Sequence, residues 1–328
     1  MNYDEAINQF ELLFAHKMSD IQMRDFLIDM PLNESTQTHI IAAAAAVMKN
    51  YSLPLHVNDE LRSKLIDIVG TGGDKIGSFN ISSTVSLLVA SAGAYVAKHG
   101  NRSVTSKSGS ADMLEALGIK LNLSIPNSVK LLEETGFTFM FAQNFHPAMK
   151  FIMPVRKSIE HKTIFNILGP LTNPARADKM LLGVFDKSFV IKLANALKFN
   201  HATDAIVVSS KEHMDEISIS DVTYCARLKD GNIEEFVIDP QRYGIKKVPL
   251  ETIIGGDAVQ NANITRAIFT NSATEAQRDI VVLNAAAAFV VEGLARDIQD
   301  GIQIANDALL SGRAKKKLEQ IIAVSAKL

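Results

Sequence analysis

The sequence predicts an α/β protein: a mostly parallel central sheet flanked by helices, joined to a small all-helical domain. Two observations carry this. No strand candidate occurs before Leu65, and apolar residues up to that point recur at helical spacing. From Leu65 onward short apolar runs alternate with helical stretches, the pattern of a parallel sheet. A third observation fixes the centre of the molecule. Between Asp67 and Ser110 one device occurs twice: an apolar strand, a Gly/Ser loop and a helix start.

In chain order, Phe10, Leu13 and Phe14, then Met18, Ile21, Met23, Phe26 and Leu27, mark the first helical faces. Ser19 and Asp20 are suited to cap the second helix. Residues 36–48 are alanine-rich and helix-favouring. Strands are expected at 65–69, 95–97, 139–141, 181–185 and 205–208, with helices between them at 127–135 and 188–198. Asp230-Gly231 predicts a hairpin turn between 223–228 and 233–238. Residues 274–293 and 295–327 read as two closing helices. The segment from Pro147 to Asn173 breaks the alternation and holds no clear strand.

Composition narrows the function. The chain has 328 residues, enough for two domains, and a net charge of −2, which gives no general attraction to nucleic acid or an anionic membrane. Any anion site must be local. A single cysteine, Cys225, excludes an internal disulfide and fits a reducing, cytoplasmic compartment. The N-terminus is acidic and amphipathic, unlike a signal peptide, and apolar stretches such as 40–48 are too short to span a bilayer.

The doubled device suits a polyphosphate. Gly70, Gly72 and Gly73 follow the first strand, with Asp74 after them. Glycine permits positive φ and lets backbone N–H groups approach a ligand. Asn80, Ser82 and Ser83, helix-capping residue types, then precede an apolar run, and a helix N-terminus favours an anion. The second loop runs from Lys98 through Arg102 to Ser110, with cations at Lys98, Arg102 and Lys107, and its helix, 112–117, ends at Gly118. One such loop alone is most often a turn, and neither has the dinucleotide or P-loop spacing. Two of them, one strand–helix unit apart, favour phosphate. Asp215 and Glu216 follow the 205–208 strand at its C-terminal end, where ligands bind in open parallel sheets. Adjacent carboxylates there suit a hard divalent cation, although an arbitrary Asp-Glu pair is usually solvated surface.

The motifs GTGGD (70–74), NIS (80–82), KHGNR (98–102) and SKSGS (106–110) carry a resemblance, as do FHPAMK (145–150), MPVRKS (153–158), FNILGPLTNPA (165–175) and HMDEIS (213–218). In this order and spacing the chain resembles the anthranilate phosphoribosyltransferase family of tryptophan biosynthesis, over nearly its whole length. The resemblance implies transfer of a phosphoribosyl group from phosphoribosyl pyrophosphate to the amine of anthranilate. It implies a helical domain at 1–62, joined in space by part of 147–175, and a phosphoribosyl pyrophosphate-binding domain at 63–328, with the second substrate in the cleft between them.

The same resemblance implies residue roles. Phosphoribosyl pyrophosphate would be held by Gly70, Gly73, Asp74, Ser78, Asn80, Ile81, Ser82 and Ser83 of the first loop. From the second it would meet Lys98, His99, Gly100, Asn101, Arg102, Ser103, Ser106 and Ser110. Ser78 and Ser83 stand where threonine is common in such enzymes, and the hydroxyl is kept. Anthranilate would meet Gly70, Asn101 and Arg156, with His99 and His146 nearby; a guanidinium is a planar fork matched to a carboxylate. Ser82, Asp215 and Glu216 would hold Mg²⁺, two ions per subunit. A homodimer through the N-terminal helices is implied, with no nucleic-acid or membrane partner. No nucleophile–base dyad is found, and none is needed if catalysis is by positioning and electrostatics. Two rival readings are a pyrimidine nucleoside phosphorylase and a nucleic-acid-binding relative without catalysis. The latter should be basic and should lack the acidic pair or Asn101-Arg102.

Overall fold

The structure, a computed structural model, describes residues 1–103 and 107–328. Ser106, expected at the phosphate site, lies outside the described residues.

Seven strands build one sheet: β1 (Leu65–Gly70), β2 (Tyr95–Gly100), β3 (Phe137–Phe141), β4 (Lys179–Gly183), β5 (Asp204–Ser210), β6 (Thr223–Lys229) and β7 (Asn232–Ile238). Their order is β3-β2-β1-β4-β5-β6-β7. The first five are parallel, and β6 and β7 add an antiparallel edge. Side chains alternate across the sheet with the period of two that a strand imposes. Ile66, Ile68, Leu181, Ile206 and Val208 join one core, and Met180, Leu182, Ala205 and Val207 join the other. Asp230 and Gly231 both take positive φ, 49° and 76°, the backbone of a two-residue hairpin turn.

The strands differ from expectation at their ends. β2 continues through Lys98 and His99 to Gly100, because both polar residues pair with β3 opposite Phe139 and Met140 and are buried there. β4 begins two residues earlier than expected and stops at Gly183, so Val184 and Phe185 lie beyond the named strand.

The helices are α1 (Tyr3–Phe14), α2 (Asp20–Ile28), α3 (Thr38–Asn50), α4 (Asp59–Arg62), α5 (Ile81–Ser91), α6 (Ser110–Ala116), α7 (Ile125–Thr135) and α8 (Ala142–Phe145). They continue with α9 (Met149–Lys157), α10 (Phe165–Leu168), α11 (Val190–Phe199), α12 (Ala258–Phe269), α13 (Glu275–Glu292), α14 (Ile298–Leu310) and α15 (Arg313–Lys327). Ser19 caps α2 in a reciprocal box with Gln22, as its residue type suggests. The closing stretch 295–327 is two helices rather than one, broken at Gly312 with φ of 74°. The sequence reading missed α12, whose Gln260, Asn261 and Asn263 weaken its apolar period.

α5 and α13 cover one face of the sheet, and α14 and α15 pack against them. On the other face α1, α2 and α3 share a core with α11, β4, β5 and the crossing segment, through Ile152, Val155, Phe165 and Leu168. The 30–32 and 162–164 stretches also pair by backbone hydrogen bonds. Among the described residues no helix is long and apolar enough to cross a membrane.

Candidate active site

The sheet order reverses between β1 and β4: β1 leads toward β2 and β3, and β4 toward β5. Such a switch point opens a crevice at the C-terminal ends of the strands. Gly70 and Gly183 end the two strands side by side. The chain carrying Asp215 crosses directly over them. A Cβ on Gly183 would lie 1.6 Å from the Asp215 carbonyl oxygen, and one on Gly70 would lie 2.2 Å from its carboxylate. These two glycines are what let the acidic segment settle on the sheet edge. Gly183 was not singled out from sequence; a glycine inside the expected 181–185 strand was its signal, since such a glycine often marks a close backbone approach.

Asp215 and Glu216 are therefore not a solvated surface pair. Asp215 accepts a hydrogen bond from Gly72 N–H at 2.6 Å. Glu216 accepts one from Ser82 N–H at 3.0 Å, in the first turn of α5, where the helix dipole favours an anion. Both residues are half-buried. Burial raises both pKa values well above the carboxylate range; Asp74 adds to the rise of Asp215, and Asp215 with Asp74 to that of Glu216. Lys98, fully buried beneath them, pulls the other way. Its Nζ donates to Ile68 O and, at 3.3 Å, to Ser82 Oγ. Burial lowers the Lys98 pKa, and the carboxylates of Asp67, Glu216 and Asp215 oppose that shift.

This donor set fits a hard divalent cation. Carboxylates held with excess negative charge, with a serine hydroxyl beside them, are stabilised by added positive charge. Among the described residues no group of three or more His, Cys, Asp or Glu forms a metal cage alone. That suits an ion that keeps waters and shares substrate phosphates.

The first loop is shaped by glycine. Gly72 and Gly73 have φ of 67° and 79°, a region that side-chain-bearing residues rarely occupy. Asn80 stands at the N-cap position of α5, as its residue type had suggested, but its side chain makes no capping bond. Its amide instead donates to Ser108 O at 3.3 Å, and its Oδ1 accepts from Asn261 Nδ2 at 2.9 Å and Ser108 Oγ at 3.1 Å. Asn80 thus ties the two loops together, with Asn261 of the unforeseen α12 as third member. Ile81 is a core residue whose N–H already bonds Phe79 O, and Ser83 buries its hydroxyl completely. Neither side chain reaches the crevice. Ser78 is half-buried, its backbone bridged to Ile254.

The second loop corrects an expectation. Of its three cations only Lys98 lies under the crevice. Arg102 donates to Asp112 at 2.9 Å and to both oxygens of Glu115 at 2.6 and 2.7 Å. Its guanidinium is committed to α6 and the residues beside it. Lys107 is exposed. Ser103 N–H, like Gly109 N–H, donates to Asp112. Asn101 is exposed, Gly100 ends β2, and Ser110 opens α6.

His99 and His146 come together: their Nε2 atoms are 3.2 Å apart, and His99 Nδ1 lies 3.2 Å from Gly169 O. Burial, and for His99 the neighbouring imidazole as well, hold their pKa values down to about 3 and about 4. Beneath them Asp67, missed in the sequence, accepts from His99 N–H and from Asn173 Nδ2 at 2.7 Å. Asn173 also donates to Ala97 O, so this pair pins the crossing segment to β1 and β2. Burial raises Asp67 to about 6.

Arg156, near the end of α9, stacks over Phe165 at 5.8 Å, and its Nη1 lies 4.0 Å from Met153 Sδ. It has no carboxylate partner among the described residues, so an interdomain ion pair does not explain it. Burial lowers its pKa, the mark of a cation short of a counter-charge.

Crevice, glycine loop and acidic pair define a class of protein, and comparison with known proteins agrees. Residues 62–315 match the family model described as glycosyl transferase family, a/b domain. Anthranilate phosphoribosyltransferases from Methanobrevibacter smithii and Xanthobacter autotrophicus are each 42% identical, over 98% and 99% of this chain and 94% and 93% of their own. The crystal structure of the Thermus thermophilus anthranilate phosphoribosyltransferase superposes with a TM-score of 0.92 at 35% identity, covering 99% of this chain and 96% of that one. The Saccharomyces cerevisiae anthranilate phosphoribosyltransferase in complex with PRPP and Mg superposes at 0.81 with 26% identity, covering 89% and 81%. The chain belongs to the anthranilate phosphoribosyltransferase family.

Proposed function

We infer that the protein transfers the phosphoribosyl group of phosphoribosyl pyrophosphate to the amine of anthranilate. The products are N-(5-phosphoribosyl)anthranilate and pyrophosphate, a step of tryptophan biosynthesis. The observation that carries this reading is the seating of Asp215 and Glu216 on the first glycine loop and on α5, at the switch point of the sheet. The yeast complex with PRPP and Mg supports it.

In this reading Gly73, Asp74, Ser78, Asn80 and the first turn of α5 hold the diphosphate and ribose, with Lys98 supplying positive charge from below. Asp215, Glu216 and Ser82 hold Mg²⁺, two ions per subunit, and the metal when bound neutralises charge on the departing pyrophosphate. Arg156 takes the anthranilate carboxylate, and Asn101 and Gly70 border the ring. His99 and His146, kept neutral, offer that ring an uncharged wall. The attacking nitrogen uses its lone pair and loses its proton after the bond to C1 forms, so the chain's work is alignment and charge stabilisation.

The division into 1–62 with part of 147–175 against 63–328 belongs to the same reading, and the shared core of α1, α2, α3 and the crossing segment supports it. So do a homodimer through the N-terminal helices, where Ile21 is 73% exposed, and a cytoplasmic location. The test is loss of anthranilate fluorescence with phosphoribosyl pyrophosphate, with and without EDTA. Turnover that stops with EDTA and returns with Mg²⁺ is expected; full turnover in metal-free buffer contradicts the reading.

A further inference from the structure

We propose that Lys162, in the crossing segment, is a substrate-binding residue that pairs with the diphosphate of phosphoribosyl pyrophosphate from across the cleft; this rests on the function inferred above. Lys162 lies between α9 and α10. Its backbone is fixed to the N-terminal helices: Leu32 N–H donates to Lys162 O at 2.9 Å, Ile164 N–H donates to Met30 O, and Pro31 bridges Thr163. Its side chain leaves that anchor and reaches the first glycine loop. There Nζ donates to Gly73 O at 3.4 Å and lies 3.3 Å from the centre of the Phe185 ring.

The placement is unusual for a surface lysine. It makes no ion pair among the described residues, although Asp74 and Asp186 lie close enough to feel its charge. An ammonium has three donors, and the protein accepts from one. Phe185 covers part of the group without offering an oxygen. Lys75 adds a second positive charge nearby. A cation is thus held at the one loop whose glycines leave room for a polyanion, and held by the part of the chain that carries Arg156. Phosphate oxygens on that loop would give the two remaining N–H groups acceptors. One segment would then present both fixed charges that the two substrates require, the guanidinium to one and the ammonium to the other.

The test uses the full-length protein with Lys162→Met and Lys162→Arg. Binding of inorganic pyrophosphate with Mg²⁺ is measured by calorimetry, alongside KM for each substrate and the melting temperature. Loss of one charge-assisted contact predicts pyrophosphate binding about tenfold weaker in Lys162→Met. Lys162→Arg should restore most of it. The KM for phosphoribosyl pyrophosphate should rise, and the KM for anthranilate and the melting temperature should hold. Parent-like pyrophosphate binding by Lys162→Met overturns the proposal. Equal damage to both KM values, or a lowered melting temperature, makes Lys162 a tether and also overturns it. Failure of the parent itself to bind magnesium pyrophosphate would instead remove the reading of the whole site.

Discussion

The two glycine loops begin as copies of one device and end as different objects. In the first, Gly70 to Ser83, backbone shapes the site: three positive-φ glycines, an N–H on Asp215 and a first-turn N–H of α5 on Glu216. In the second, Lys98 to Ser110, side chains dominate among the described residues. Arg102 is spent on Asp112 and Glu115, and Lys98 is buried within β2, its Nζ on Ile68 O. The role of Gly72 and Gly73 follows from their own positive φ, whereas a cation's follows from the nearest acid, which the fold decides.

The largest effect should come from filling the close approach under the acidic pair. In Gly183→Val the new Cβ meets a backbone oxygen at 1.6 Å, so the Asp215 segment must lift. Activity should be nearly abolished and the melting temperature lowered, both checked on the purified variant. Near-parent turnover would mean that the acids need not rest on the sheet edge. Next, Asp215→Asn should lower kcat about 10²-fold, as loss of one electrostatic stabiliser does, with the anthranilate KM unchanged. Steady-state kinetics at saturating Mg²⁺ decides it, and parent turnover would place the metal elsewhere.

The second loop predicts smaller numbers. Arg102→Met removes exposed ion pairs, each worth about 0.2–1 kcal/mol, so chemical denaturation should show a loss of that order. The KM for phosphoribosyl pyrophosphate should barely move; a large rise would restore Arg102 to the phosphate site. A pH prediction concerns the histidine pair. His99 and His146 titrate near 3 and 4 in the folded protein, below the usual 6.5 of the unfolded chain. Between those values the unfolded state binds more protons, so their contribution to stability falls as pH drops from about 6.5 toward 4. Asp67, raised to about 6, has the opposite sign: its penalty is relieved as pH falls through 6. His99→Asn should therefore flatten the loss of stability in acid, read as melting temperature against pH.

Much of this was legible in the sequence. The β1 to β5 alternation, the Asp230-Gly231 hairpin and the glycine loop all rest on local backbone preferences. The site residues that escaped are those whose meaning is tertiary. Gly183 matters only because Asp215 lies on it, and Asp67 only because His99 and Asn173 bond it. Asn80 was named, but its bridge between the loops was not. α12 escaped because its polar residues blur the helical period, although Asp257 and Gln260 form a capping box at its start.

The central claim is that the first loop binds diphosphate through glycine backbone. The direct measurement is calorimetric titration of phosphoribosyl pyrophosphate, with Mg²⁺, into the parent and into Gly73→Val. A Cβ at Gly73 meets no atom closer than 3.7 Å, but φ of 79° disfavours any β-branched residue, so the variant should fold and lose the loop's shape. The account predicts binding by the parent and none detectable by the variant, with α/β circular dichroism unchanged. Normal binding by Gly73→Val would make the loop a structural turn and contradict the account.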